Sequence, residues 1–251
     1  MRALLYRIYG LFTALVTPGL RNSQFAYAEC LERIAPGRRG WLDVGCGHQM
    51  IPSWLHWDPA RLDALRNGND ALIGIDLDLP SLRKNTSCDH VTYGSIDRLP
   101  FADASFDLIT ANMVAEHLAH PEQALAEVAR VLRPGGLFAF HTPNHRSPLV
   151  RLSGWMPQAP KNLLIRLLEG RDEDDVFPTV YRLNTEGDIR ALAEEAGLGV
   201  RELTHLETTA STLVLGPFVV FELLWIRRLR RESRRHLRTN LVVVLEKPSA
   251  G

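Results

Sequence analysis

Five short apolar runs constrain this chain most: WLDV from Trp41, ALIGID from Ala71, HVTYG from His90, FDLITAN from Phe106 and LFAFHTP from Leu137. Each is long enough for a strand and too short for a helix, and helical or turn segments separate them. That alternation builds βαβ units, whose crossovers return the chain to pair its strands in parallel. The clearest crossover helix lies between the fourth and fifth runs. Pro121 opens it, Leu125, Val128 and Leu132 form its buried stripe, and Pro134-Gly135-Gly136 closes it. Further on, Thr185 and Asp188 form a capping box for a helix that buries Ile189, Leu192 and Ala196 and ends at Gly197. Two more strands are expected near 199–207 and at NLVVVLE, 240–246, with a long helical pattern between them at 213–237. The expected fold is α/β with a mostly parallel, doubly wound sheet.

Residues 1–36 read as a helical cap. Leu4, Leu5, Ile8, Leu11, Phe12 and Leu15 recur at helical spacing, Pro18-Gly19 breaks the pattern, and a second helix runs from Ser23 to Ile34. Residues 37–251 follow as one domain, and 45% hydrophobic residues suffice for a substantial core. Within it, 145–183 carries four prolines and an acidic run at 172–175. It is too long for an ordinary connection and reads as a lid or substrate-facing insertion, with the acids solvated.

The 29 basic and 29 acidic residues cancel, so no general attraction to nucleic acid is expected. The three cysteines, Cys30, Cys46 and Cys88, have no metal-type spacing and fit a reduced cytoplasmic compartment; no metal site is expected. No uncharged apolar run is long enough to span a membrane, and the start, interrupted by Arg7, is a poor signal peptide.

The first run holds one acid, Asp43, and breaks into Gly45-Cys46-Gly47. Bare backbone there can approach a ligand, although an ordinary tight turn has the same letters. Cys46 reads as a small filler of that turn, since no base sits at a revealing spacing. Asp76 ends the second run, where a carboxylate can accept both hydroxyls of a ribose. A nicotinamide-binding turn expects a third glycine where Met50 stands and an acid about 20 residues on, which counts against an NAD-dependent oxidoreductase.

In order and spacing, WLDVGCG, GIDLD, GSIDRLPFADASFDLITAN, EHL and LRPGGLFAFHTPN resemble the class I S-adenosylmethionine-dependent methyltransferases, nearest to the small-molecule enzymes with an LPF-x-D-x-SFD segment. The resemblance is close over 41–144 and looser over about 180–247. It implies a seven-stranded Rossmann-like sheet with the last strand antiparallel, N-terminal helices and the insertion over the substrate side, and S-adenosylmethionine as cofactor. Residue by residue, it implies that Asp43, Gly45, Cys46 and Gly47 line the methionine part of the cofactor and that Asp76 holds the ribose. Leu77 would pack on the adenine, Gly94-Ser95-Ile96 would meet its edge, and Asn112 would lie near the methionine or sulfonium end. The chain departs from the family at Gln49, where a third glycine is usual, and at Ser95, where an acid is usual. Serine keeps one hydrogen bond there and leaves adenine recognition leaning on the Ile96 amide.

The expected activity is methyl transfer to a small or lipid-linked acceptor, on oxygen in preference to carbon or nitrogen. Such a displacement needs positioning above all, and a base where the acceptor carries a proton. Among His117, His141 and His145, the expectation falls on His117, with bracing of the loop together with Glu116 as its competing role. A non-catalytic S-adenosylmethionine-binding module is the rival function. Finally, residues 227–238 hold seven arginines against one acid, behind an apolar half that includes Phe218, Phe221, Leu224 and Trp225. The segment 213–238 has the make-up of a helix resting on the anionic inner face of a membrane. Its competing reading is a core helix whose arginines are solvated or meet the 172–175 acids.

Overall fold

A computed structural model of the chain describes residues 11–52, 58–66, 68–155, 178–208 and 218–249. In chain order these form α1 (Ser23–Ile34), β1 (Gly40–Val44), α2 (Pro59–Leu65), β2 (Ala71–Asp76), α3 (Leu79–Arg83), β3 (His90–Tyr93) and β4 (Phe106–Asn112). After a 3-10 turn at Ala115–His117 come α4 (Pro121–Val131), β5 (Leu132–Pro143), α5 (Pro148–Trp155), α6 (Glu186–Glu195) and β6 (Gly199–Leu206). The chain continues through α7 (Phe218–Leu229), a 3-10 turn at Glu232–Leu237 and β7 (Asn240–Glu246). All seven expected strands form, in the order β3-β2-β1-β4-β5-β7-β6.

β1 pairs in parallel with β2 and β4, β2 with β3, and β4 with β5. β7 runs the other way. Gly135 N–H, early in β5, donates to the Lys247 carbonyl beyond the end of β7, while Asn144 N–H, beyond β5, donates to the Thr239 carbonyl ahead of β7. The sheet is therefore mixed, with the reversal on the side of β7.

Two compact units are present. One comprises Gln24–Pro143, Val180–Thr204 and Leu241–Gly251, and the other Met1–Ser23, Asn144–Thr179 and His205–Asn240. In the first, strand alternation sorts side chains to two faces. Leu42, Val44, Ile109, Phe138 and Val243 share a core with Ala124, Leu125 and Val128 of α4 and Ile189 and Ala193 of α6. On the other face, Tyr27 of α1 stacks on His141 of β5 with ring centroids 5.7 Å apart. The capping box at α6 forms as the sequence indicates: Thr185 Oγ1 accepts from Asp188 N–H and donates to Asp188 Oδ2, and Gly197 takes φ +72° just past the helix.

Two expectations are corrected. Pro134-Gly135-Gly136 does not close α4, because the helix ends at Val131 and β5 begins at Leu132, whose partner is Phe106. Nor is 213–237 one helix. α7 stops at Leu229, Arg231 is extended (φ −62°, ψ 133°), and Arg238 donates to the carbonyls of Leu229 and Arg230, taking over the terminal acceptors of the helix. The acids at 172–175 and most of the 145–183 insertion lie outside the described residues.

Candidate active site

The turn after β1 is built on two glycines in the left-handed region, Gly45 (φ +63°) and Gly47 (φ +49°). Gly45 N–H donates to the Ile75 carbonyl at 2.8 Å, which carries the turn onto the tip of β2. A Cβ at Gly45 would lie 2.3 Å from Val114 Cγ2, whereas one at Gly47 would meet nothing within 4 Å. The first glycine is needed for close packing, and the second leaves open space beside its backbone. Asn85 Nδ2 donates to the Gly47 carbonyl at 2.8 Å and steadies the turn from below.

Asp76 ties this turn to the one after β2. Its Oδ2 accepts from Gly47 N–H and its Oδ1 from Asp78 N–H, both at 2.8 Å. Each carboxylate oxygen offers two lone pairs, so one amide per oxygen leaves capacity for a further donor on each. That is the requirement of a vicinal diol. Leu77, beside it, is 52% exposed, an apolar surface at the rim. Gly94 N–H donates to the Asp76 carbonyl at 3.1 Å, bringing the turn after β3 to the same place. There Ser95 Oγ accepts from Asp97 N–H and donates to Asp97 Oδ2, and Ile96 is buried.

Asp43 does not lie at the surface of the glycine turn. It is 3% exposed and sits opposite Thr110 in the register of β1 and β4. Trp41 Nε1 donates to Thr110 Oγ1 at 2.9 Å, and the Thr110 hydroxyl donates to Asp43 Oδ1 at 2.6 Å. Burial raises the Asp43 carboxyl to about 7 against the pull of the Thr110 hydroxyl, with Asp76 adding to the rise. The thiol of Cys46 is also pushed up, by its hydrogen bond with Cys88 and by burial. That suits a filler of the turn better than a nucleophile.

Beyond β4, Asn112 and Gln24 exchange hydrogen bonds through their amides at 2.9 and 3.2 Å. Asn112 Oδ1 also lies 3.0 Å from His141 Nδ1. That oxygen can only accept, so His141 donates from Nδ1. Burial drives the His141 pKa down to about 3, and the ring is neutral at ordinary pH. Next in the chain, Glu116 is held at both ends. Its carbonyl accepts from Val180 and Tyr181 N–H, and its carboxyl accepts from Thr142, whose hydroxyl accepts in turn from Asn184 Nδ2. Burial raises the Glu116 carboxyl to about 7. His117 keeps 29% of its side chain exposed, with Nε2 3.9 Å from Glu116 Oε1. His145 lies in the other compact unit and is half-buried.

Hydrogen bonds thus hold the backbone of Gly45 and Cys46 on the Ile75 carbonyl and that of Gly47 and Gly94 on Asp76; Asn112 and His141 form a second cluster, and Glu116 and His117 a third. Thr110, Gln24 and Asn85 escaped the reading of the sequence. Thr110 had one available signal, its place two residues before Asn112 in a strand beside the buried acid. Gln24 and Asn85 had none, because their partners are 88 and 38 positions away. Among the described residues, no group of three or more His, Cys, Asp or Glu side chains is placed to hold a metal ion.

The sequence model of a methyltransferase domain matches residues 42–140. The malonyl-[acyl-carrier protein] O-methyltransferase of Pseudescherichia vulneris is 36% identical over 104 residues, which are 40% of this chain and 38% of that protein. Methyltransferase GfsG of Streptomyces halstedii is 29% identical over 181 residues, 71% of this chain and 59% of that protein. The chain therefore spans less than two thirds of these curated relatives. Among solved structures, an S-adenosylmethionine-dependent methyltransferase from Mesorhizobium loti superposes with a TM-score of 0.53 at 18% identity, over 89% of this chain and 97% of that one, a likeness of fold. Over residues 42–140 the chain is thus similar to a methyltransferase domain, and its seven-stranded sheet shares the fold of solved S-adenosylmethionine-dependent methyltransferases.

Proposed function

We propose that this chain transfers the methyl group of S-adenosylmethionine to an oxygen of a small or lipid-linked acceptor. The observation that carries the reading is Asp76, fixed by two backbone amides and keeping an acceptor site on each oxygen. The two amides fix the orientation of the carboxylate at the glycine turn, which a ribose-binding acid requires. In this reading the open backbone at Gly47 receives the amino-acid end of the donor, Leu77 covers the adenine, and Ser95 with the Ile96 amide meets the adenine edge. Asn112 sits toward the sulfonium end, oriented by Gln24 and His141, while Asp43 and Cys46 support the turn from beneath. When bound, the cofactor supplies an electrophilic methyl group on a positively charged sulfur.

The protein then has two tasks: to hold the acceptor oxygen in line with the methyl group, and to take its proton if it has one. His117 is our choice for the second task, because it is the partly exposed imidazole braced by a fixed carboxylate. The choice of oxygen, and of an acceptor on a lipid or carrier, is supported by the names of the malonyl-[acyl-carrier protein] O-methyltransferases among the relatives. His117→Gln tests the assignment. With a hydroxyl acceptor, kcat should fall by roughly 10²–10⁴-fold, the usual contribution of a positioned base, while donor affinity stays within about twofold. An unchanged kcat would remove His117 from the chemistry and point to an acceptor that arrives already ionised, such as the carboxylate a malonyl group offers.

A further inference from the structure

In the unit formed by Met1–Ser23, Asn144–Thr179 and His205–Asn240, α7 is apolar on two sides. Leu223, Ile226 and Leu229, at i, i+3 and i+6, are fully or almost fully buried. Phe221, Leu224 and Trp225 lie on the other side, and with Arg228 they follow i, i+3, i+4 and i+7, a single exposed stripe. They are 71%, 49% and 36% exposed. A shallow cleft joins that stripe to Arg227, Arg228 and Arg231. Of the arginines in 227–238, Arg235 and Arg238 share Glu232, and Arg230 Nη1 donates to the Pro18 carbonyl. Arg227, Arg228, Arg231 and Arg234 form no ion pair among the described residues. The turn that Arg230 holds follows a helical stretch at 11–16 that exposes Leu11, Phe12 and Leu15.

We infer that this face docks on an anionic lipid surface, resting on the methyl-transfer reading only for its consequence, an acceptor met at the membrane. Three features select that occupant. A second copy of the chain would, in a two-fold interface, set the arginine cluster against itself. A soluble anion would use the arginines and leave the phenylalanine, tryptophan and leucines in water. Only a surface that offers phosphate oxygens above an apolar layer satisfies both sets of side chains, and a helix lying in its plane buries one side while phosphates attract the charged end. No described helix is long and apolar enough to cross the membrane, so the contact is peripheral.

The test is co-sedimentation of the full chain with phosphatidylcholine vesicles, with and without phosphatidylglycerol, at low and high salt. Anionic vesicles should be preferred by about tenfold or more, with weaker binding at high salt. Combined R227Q, R228Q and R231Q substitutions should cut anionic partitioning by roughly a hundredfold, the scale of three charges near such a surface. F221S with L224S should reduce the binding that survives high salt. Titration with S-adenosylhomocysteine and thermal unfolding of each variant separate docking from folding and donor binding, none of these residues belonging to the proposed site. Equal indifference to both vesicle types would overturn the inference. So would anionic binding untouched by the arginine changes, concentration-dependent self-association that hides the stripe, or capture of a soluble acidic protein without vesicle binding.

Discussion

Gly45→Ala should be among the most damaging single-methyl changes in the chain. Two costs add. The residue sits at φ +63°, where a side chain costs roughly 1–2 kcal/mol, and its Cβ would fall 2.3 Å from Val114 Cγ2, an overpacking that typically costs about 1–3 kcal/mol. Val114 is β-branched and immediately precedes the turn that carries Glu116 and His117, so it cannot yield without moving them. The midpoint of thermal unfolding should fall by roughly 5–15 °C at about 2–4 °C per kcal/mol for a chain of this size. Gly47→Ala supplies the control, since it has a left-handed φ but no atom within 4 Å of the added carbon. It should lose only about 1–2 kcal/mol. Equal losses in the two variants would show that the Val114 contact plays no part.

Asp43→Asn should change the shape of the stability–pH curve. With its pKa raised by burial to about 7, folded Asp43 keeps a proton that the unfolded chain releases near pH 4. The stability tied to that proton is fully present below the unfolded pKa and is lost as pH rises through about 7. A shift of about three units corresponds to roughly 4 kcal/mol as an upper scale. Glu116 and Glu207, also raised by burial to about 7, act in the same direction. His141, depressed to about 3, acts the other way: it costs stability as pH falls from its unfolded value through 3. The wild-type curve mixes these effects, so the informative quantity is the difference between variant and wild type. Asparagine still accepts from Thr110 but carries no charge, so the variant should gain on the wild type by on the order of 2–4 kcal/mol between pH 4.5 and 8. A difference that is flat across that range would mean that Asp43 titrates normally and is solvated.

The inner strands were legible because each carries an apolar run bounded by turn residues, and burial on both faces demands that pattern, whereas the outer strands β3 and β6 are largely exposed. The capping box of α6 was legible for a similarly local reason: Thr185 and Asp188 satisfy each other within one turn. Where a partner is distant, the letters mislead. Pro134-Gly135-Gly136 looks like a helix stop, yet Gly135 and Gly136 pair with Lys247, more than 100 positions on, and enter the sheet. The continuous helical pattern of 213–237 hides a break secured by Arg238 folding back on the carbonyls of Leu229 and Arg230. At the candidate site, Asp76 and the glycines were legible through the order of motifs that carries the family resemblance. The network that places Asn112 was not, because Gln24 of α1 and His141 of β5 meet it from separate elements, with Tyr27 of α1 stacked on His141. The excess of apolar residues in the segment holding α7 was legible as more than one helix face needs, and the exposed stripe of Phe221, Leu224 and Trp225 has that origin.

The central claim is that the tips of β1, β2 and β3 form a nucleoside-bearing donor site anchored by Asp76. Isothermal titration of the wild type and Asp76→Ala with S-adenosylmethionine and S-adenosylhomocysteine tests it most directly. The account predicts saturable binding of both by the wild type and a loss of roughly 1.5–3 kcal/mol in the variant, the scale of hydrogen bonds to a charged group, with little change in folding stability. No binding at millimolar concentration, or equal affinity in the two proteins, would contradict it.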